Sequence, residues 1–441
     1  MTEIKRLAPQ TLFYAGDAVA AHLEKMAARG WLLSDVGNYI WTYRRTEETH
    51  IRYAVTYFSD ASEFDPGPTL GQRTFQDYCA YAGWTFAGQW GKMLIFRTAD
   101  PAAPAIETDE AVKLKTIHAS QMRSFVPNAL LFTLLAVMQI WMQLADVGRD
   151  MSFFADSAKL LLVLVWAVLL CYYGGSLVGY ASWYLRSRRA VAQGGRCASV
   201  SRVWRRVGAV LMAVSASLVL VWLALLVWQG IGAMVLMAVA GMLVVVAAGQ
   251  LVKRRLRRKG ASRSENRTAT LIVIAMLCVV TTIALPLILL DGGLGQPNSP
   301  ARALPLKIED LTGAPLSDET EYRLQKRVSP LMRYSSVWGC TPDDSLEYEI
   351  AKPLLPGLYD LCKAQALGLE RYEEKENSGY GRRAVPAALW GADEAYERTL
   401  DGTGLNEFVL CYPDRVVKVR FSVMDLTAEQ MALAAEKLRE A

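Results

Sequence analysis

Five stretches of the chain hold no Asp, Glu, Lys, Arg or His: residues 125–144, 160–184, 207–228, 231–251 and 269–290. A bilayer core of about 30 Å takes roughly 20 apolar residues in helical form, so each window predicts one membrane-spanning helix. The third and fourth windows nearly touch. From Val207 to Val252 there are 46 residues without a charge, about twice the length of one span. Only Trp228-Gln229-Gly230 interrupts them, and the stretch is read as a tight helical hairpin turning there. A single deformed element, leaving four spans, is the alternative.

Before the first window the periodicity shortens. "GDAVAAHLEKMAARG" places Leu23, Met26 and Ala27 on one helical face and is closed by Gly30. "WLLSDVG" and "YIWTYRR" then read as strands about a Gly37-Asn38 turn. "THIRYAVTYF" alternates, with Ile51, Tyr53, Val55 and Tyr57 on one side. A second helix, "RTFQDYCAYAG", is closed by Gly83 and followed by "WTFAGQW" and "KMLIFRT" about Gly91. Gly30-Trp31 and Gly83-Trp84 stand 53 residues apart, and 13 residues after each Gly comes an aromatic-Arg pair, Tyr43-Arg44 and Phe96-Arg97.

Residues 1–105 therefore predict a duplicated helix-strand-strand unit. One helix on one hairpin buries too little to stand alone. The expectation is one antiparallel sheet, including the strand at 50–58, covered by two helices. That is an α+β domain, ferredoxin-like in spirit. Trp31 and Trp84 are expected to cap its core. Residues 106–124 form a linker, with 107–118 helical and continuing stiffly toward the first span.

Beyond the five-helix transmembrane bundle of residues 125–290, "DGGLGQPNSPARALP" marks a linker at 291–305. Residues 306–441 predict a second α+β domain. In "EFVLCYPDRVVKVRFSV" a hairpin turns at Pro413-Asp414, with Val417, Val419, Phe421 and Val423 facing one side. Thr427 and Gln430 form a capping box opening the last helix. "GLYDLCKAQALGLERYEEKEN" reads as a helix running into a charged, solvated loop.

Charge orients these pieces. The loops on one side of the five windows carry 18 Lys and Arg, among them Arg123, Arg196, Lys253, Arg255 and Arg263; the other side carries Arg149, Lys159 and Arg302. Positive loops stay cytoplasmic. The N-terminus is expected inside, the C-terminus outside, and the localisation is the plasma membrane as a multi-pass protein. The first 30 residues hold no apolar signal region, so the first span is expected to act as an uncleaved anchor. The net charge of +5 hides a split: residues 291–441 hold 25 acidic and 18 basic residues, a net of −7. Basic loops beside membrane spans favour the lipid bilayer and its anionic head groups over nucleic acid as partners.

Candidate chemistry is sparse. Cys340, Cys362 and Cys411 would lie outside, where a disulfide can form, but nothing selects a pair. His22, His50 and His118 are not at ligand spacing. There is no phosphate loop, no nucleophile elbow, no dinucleotide fingerprint and no calcium-loop spacing. No catalytic, cofactor-binding or metal-binding residue is assigned, no cofactor is expected and the chain reads as no enzyme. The windows hold no ionisable group, which argues against a proton- or ion-coupled carrier. Gly175 and Gly179 in the second window suit close helix packing, within the chain or in a homo-oligomer.

The order and spacing of "MAARGW", "YIWTYRR", "IRYAVTYF", "CAYAGW", "MLIFRT" and "IETDEAVK" resemble the bacterial domain of unknown function 2812 family over roughly residues 5–120. The resemblance implies a cytoplasmic α+β domain ahead of membrane helices. From the PadR-type regulators that neighbour such genes it also implies a signalling role, and it brings no catalytic residue. Two functions are expected from different classes. The first is a membrane-embedded sensor or regulator, coupling an acidic outer domain to an inner domain that binds a cytoplasmic regulatory protein. The second is a non-catalytic subunit of a membrane transport or envelope complex.

Overall fold

The computed structural model describes residues 3–7, 14–37, 40–148, 150–200, 202–228, 232–291, 304–313, 320–368, 379–422 and 426–440. Asn38, the centre of the turn at 228–230, residues 292–303 of the expected linker, Val423 and the charged run at 373–376 fall outside them. The chain divides into two compact units: residues 1–137, 165–221 and 230–286, and residues 138–164, 222–229 and 287–441.

The first unit opens with β1 (Ile4–Leu7), α1 (Gly16–Ala27), β2 (Trp31–Val36) and β3 (Trp41–Arg45). Then come β4 (Arg52–Tyr57), α2 (Leu70–Tyr81), β5 (Thr85–Trp90) and β6 (Met93–Thr98). The strands make two antiparallel sheets, β1-β3-β2 and β4-β6-β5, where the sequence predicted one. The repeat is therefore strand–helix–strand–strand. β4 is the first strand of the second copy, and its counterpart β1, "IKRL", carries no alternation that announces it.

Register repeats with the offset. Leu33 pairs with Tyr43, and 53 residues on Phe86 pairs with Phe96; the bulge between Leu33 and Asp35 recurs between Phe86 and Gly88. A bulge bends its strand and disrupts further pairing. It lies in β2 and β5, the two edge strands that would have to join a common sheet. They meet through side chains instead: a Cβ on Gly88 would stand 2.4 Å from Val36 Cγ2. Gly30 and Gly83 close their helices at φ +77° and +85°, a left-handed turn that disfavours a Cβ.

The main core joins both sheets through Leu23, Leu33, Trp41, Tyr43, Met93 and Ile95; a smaller one under α2 holds Cys79, Trp84, Leu94 and Phe96. Trp84 is buried and donates to the Pro104 carbonyl at 2.8 Å. Trp31 is half-buried, with Lys5 and Arg45 over its ring. The expected linker is in fact part of this core. α3 (Glu110–Met122) is capped by Asp109, which accepts from the Ala111 and Val112 amides, and buries Leu114 and Ile117 in the main cluster. It does not run on as one rod, because the chain turns at Arg123–Ser124 before α4 begins.

Among the described residues five helices are long and apolar enough to cross a membrane: α4 (Phe125–Val147), α5 (Ser157–Ala192), α6 (Arg202–Leu226), α7 (Gly232–Arg258) and α8 (Arg263–Asp291). α5 has 36 residues and outruns its apolar window. Its last turns bury Trp183 and Ser187 against the folded-back segment 197–200: Trp183 Nε1 donates to the Ala198 carbonyl at 2.7 Å, and Ser187 Oγ accepts from the Ala198 amide at 3.0 Å.

The second unit is built on a seven-stranded antiparallel sheet, ordered β10-β11-β12-β13-β9-β8-β7. Its strands are β7 (Glu321–Val328), β8 (Met332–Cys340), β9 (Ser345–Pro353), β10 (Tyr380–Ala384), β11 (Glu394–Leu400), β12 (Thr403–Tyr412) and β13 (Arg415–Ser422). The hairpin at Pro413-Asp414 and the Thr427–Gln430 box are where the sequence puts them. One face packs Val417, Val419 and Phe421 with Trp390, α9 (Ile308–Thr312) and α11 (Ala428–Glu440). The other face is buried too, which strand alternation did not signal. Met332, Val409 and Val416 lie there with Cys362 of α10 (Pro356–Leu367) and with Met151 and Ala155 from the loop before α5. Cys340, Cys362 and Cys411 are free thiols, the last two buried.

Candidate functional site

Each copy of the repeat has one connection between its first strand and its helix, and both connections meet the apolar helices of the first unit. In the first copy the contact is aromatic. Tyr14, just ahead of α1, is 4% exposed. Its ring lies 5.3 Å from that of Tyr180, 5.4 Å from Trp183 and 6.1 Å from Phe125. A Cβ placed on Gly179 would stand 3.4 Å from the Tyr14 hydroxyl, so a glycine of α5 lies where Tyr14 seats. Half of the Gly175/Gly179 pair is thus filled from within the chain. Burial pushes the Tyr14 hydroxyl up to about 12, with Arg186 pulling the other way. His118 of α3 lines the same cluster, its Nδ1 2.8 Å from the Tyr180 hydroxyl and its ring stacked on Tyr184 at 4.1 Å.

In the second copy the contact is ionic. Residues 58–69 join β4 to α2 and carry Asp60, Glu63 and Asp65. Lys92, beside the β5–β6 turn, holds the loop from below through the Ser59 and Ala61 carbonyls. Burial, and then Arg123 and Arg263, hold the Lys92 ammonium below its usual range. Asp65 is 7% exposed and orders the loop by accepting from the Ser62 amide at 3.0 Å. Its carboxylate takes two parallel bonds from Arg263 at the start of α8, Nε to Oδ1 at 2.7 Å and Nη2 to Oδ2 at 2.8 Å. Such a fork fixes direction as well as charge.

Three further groups complete the clasp. Glu63 pairs with Lys253 of α7 at 2.9 Å, and Arg123 pairs with Asp60. Asn266 of α8, fully buried, donates from Nδ2 to the Phe64 carbonyl at 2.9 Å and to the Lys253 carbonyl at 3.4 Å. The turn that presents these groups is itself capped. Gly260 ends α7, and Ser262 and Glu265 exchange bonds at the start of α8, Ser262 N to Glu265 Oε2 at 2.9 Å.

The sequence assigns no functional residue, and counts Arg123, Lys253 and Arg263 only among the basic loops that set the orientation and lie beside lipid. Their partners sit some 60 to 200 positions away along the chain, a pairing that no local pattern reports. "SRSE" at 262–265 was the readable signal for the turn. A cleft of about 380 Å³ opens between the α1 N-terminus, Lys113, Trp183 and residues 197–200. Its polar walls are already engaged, Lys113 with Asp17 at 3.1 Å and the Cys197 amide with Glu110 at 2.9 Å. Among the described residues no group of three His, Cys, Asp or Glu side chains is placed to hold a metal ion.

The chain is a mixed α/β protein with β-sheets at both ends and, among the described residues, five apolar helices long enough to span a bilayer. Residues 17–129, from α1 into α4, match the model of the family described as protein of unknown function (DUF2812). No curated protein and no solved structure matches the chain.

Proposed function

We propose that this is a membrane-embedded sensor or regulator. The C-terminal domain meets a stimulus outside the plasma membrane, and the duplicated domain inside passes the response to a cytoplasmic regulatory protein. The carrying observation is that the duplicated domain grips the helices at two equivalent connections, through Tyr14 and through Asp65. The C-terminal sheet is likewise joined to the loop before α5: Arg327 pairs with Asp156 at 3.4 Å and donates to Ser152 Oγ at 2.9 Å, and Ser157 Oγ donates to the Val328 carbonyl at 3.1 Å. Lys and Arg in the loops support the N-terminus-inside orientation.

The test uses the full chain in lipid nanodiscs. Arg327→Ala loosens the loop before α5, and amide exchange is followed at residues 58–66. Faster exchange there is expected; unchanged exchange refutes the coupling. Orientation is checked with single cysteines and an impermeant thiol reagent on intact cells, where Ser299→Cys labels and Cys197 does not. The reading as a non-catalytic subunit of a transport or envelope complex would be favoured instead by a permease or ATPase that co-purifies in mild detergent at fixed stoichiometry.

A further inference from the structure

The cations at the end of α7 are not one population. Lys253 is 8% exposed and turned to Glu63 and the Phe64 ring. Arg254, Arg255 and Arg258 of the same helix, and Lys259 one residue on, are exposed, and none forms an ion pair among the described residues. At about 100° per residue these four cover an arc of roughly 140° on the side away from Lys253. The helix continues into Lys259, whose amide donates to the Arg255 carbonyl at 3.0 Å, so the arc is held by regular backbone. Just before it, residues 232–252 are free of charge. In a bilayer-spanning α7 the arc therefore lies at the depth of the phosphate groups.

We infer that Arg254, Arg255, Arg258 and Lys259 form a docking surface for anionic phospholipid head groups, separated by helical geometry from the Lys253 side that holds the acidic loop. Charge complementarity and direct continuity with the apolar helix select lipid as the occupant. Four bare cations within two turns repel one another, and phosphates relieve that repulsion without displacing any bond of the clasp. The inference rests on α7 as a membrane helix and is independent of the sensor reading.

The test compares full-length protein in nanodiscs of phosphatidylglycerol with phosphatidylcholine against phosphatidylcholine alone, reading retained lipid by native mass spectrometry. The variant R254Q/R255Q/R258Q/K259Q should lose anionic-lipid retention by about tenfold or more. Arg254→Lys, Arg255→Lys and Arg258→Lys together should keep it, because head groups read charge here rather than a fork. Glu63→Gln with Asp65→Asn should also keep it while loosening exchange at residues 58–66. Undiminished phosphatidylglycerol retention in the glutamine variant overturns the proposal. So does salt-sensitive binding of a soluble polyanion such as heparin with no lipid preference. If the glutamine variant fails to fold, loss of retention in the lysine variant decides against the proposal and its persistence decides for it.

Discussion

The two connections from first strand to helix are equivalent by topology and opposite in chemistry. The first copy presents a buried tyrosine to Tyr180, Trp183 and Phe125; the second presents three carboxylates to Arg123, Lys253 and Arg263. A repeated fold has thus fixed where contact is made without fixing how. Aromatic packing draws on area removed from water and is indifferent to salt. Half-exposed ion pairs are weakened by screening, and Arg263 and Glu63 keep 44% and 51% of their side chains exposed. One end should hold under conditions that release the other.

The largest effect is expected at the aromatic end. Tyr14→Ala should destabilise the first unit by about 3–5 kcal/mol in denaturant unfolding, while Tyr14→Phe keeps the ring and should cost under ~1 kcal/mol. At the ionic end Asn266→Ala should cost about 1–3 kcal/mol, since it leaves the Phe64 carbonyl without its Asn266 donor and removes the link to the Lys253 carbonyl. Raised exchange at residues 58–66 would localise the loss. Asp65→Asn should cost about 1 kcal/mol after allowance for the exposed Arg263. Salt near 1 M, where the Debye length is about 3 Å, should reproduce that change at 58–66 and leave the Tyr14 contacts unmoved.

Alkaline titration should separate the two ends by sign. The Lys92 ammonium is held low in the folded protein, so stability from this group rises as pH climbs from that lowered value to its ordinary 10.5. Tyr14 is pushed up to about 12 from 10.0, so its contribution is complete below pH 10 and lost from there toward 12. Exchange at residues 58–66 and Tyr14 absorbance, followed together from pH 8 to 12, would check this; parallel loss at both ends would dissolve the contrast. The smallest effect belongs to Gly179→Ala. The added methyl meets the Tyr14 hydroxyl at an ordinary 3.4 Å, so a change below about 0.5 kcal/mol in unfolding is expected.

Local periodicity made the five apolar helices, the repeat and the final hairpin readable, because each is specified by neighbours within a turn or a strand pair. The two-sheet division was not readable. It depends on bulges at Ser34 and Ala87, where neither residue carries a local signal for an extra position. β1 was missed because "IKRL" pairs along a partner and buries almost nothing of itself. α3 was visible as a helix, but its place in the core depends on Tyr180 and Trp183, which approach from α5. The clasp was the least legible part. Asp60, Glu63 and Asp65 read as an ordinary acidic loop until folding sets them against residues as much as 198 positions away.

β2 and β5 meet at Gly88 through side chains and share no ladder of backbone bonds, yet the two copies are interleaved: α1 of the first lies on β4 of the second, and Leu33, Trp41, Met93 and Ile95 share one core. Sliding along that seam breaks no ladder bond, but it shears the shared core, where the Trp41 and Trp90 rings meet at 5.6 Å, and the bond from the Tyr53 amide to Glu24 Oε1. A pull on either attachment is therefore handed to the other copy through side chains alone, and the tightness of that shared core sets how faithfully one grip answers the other.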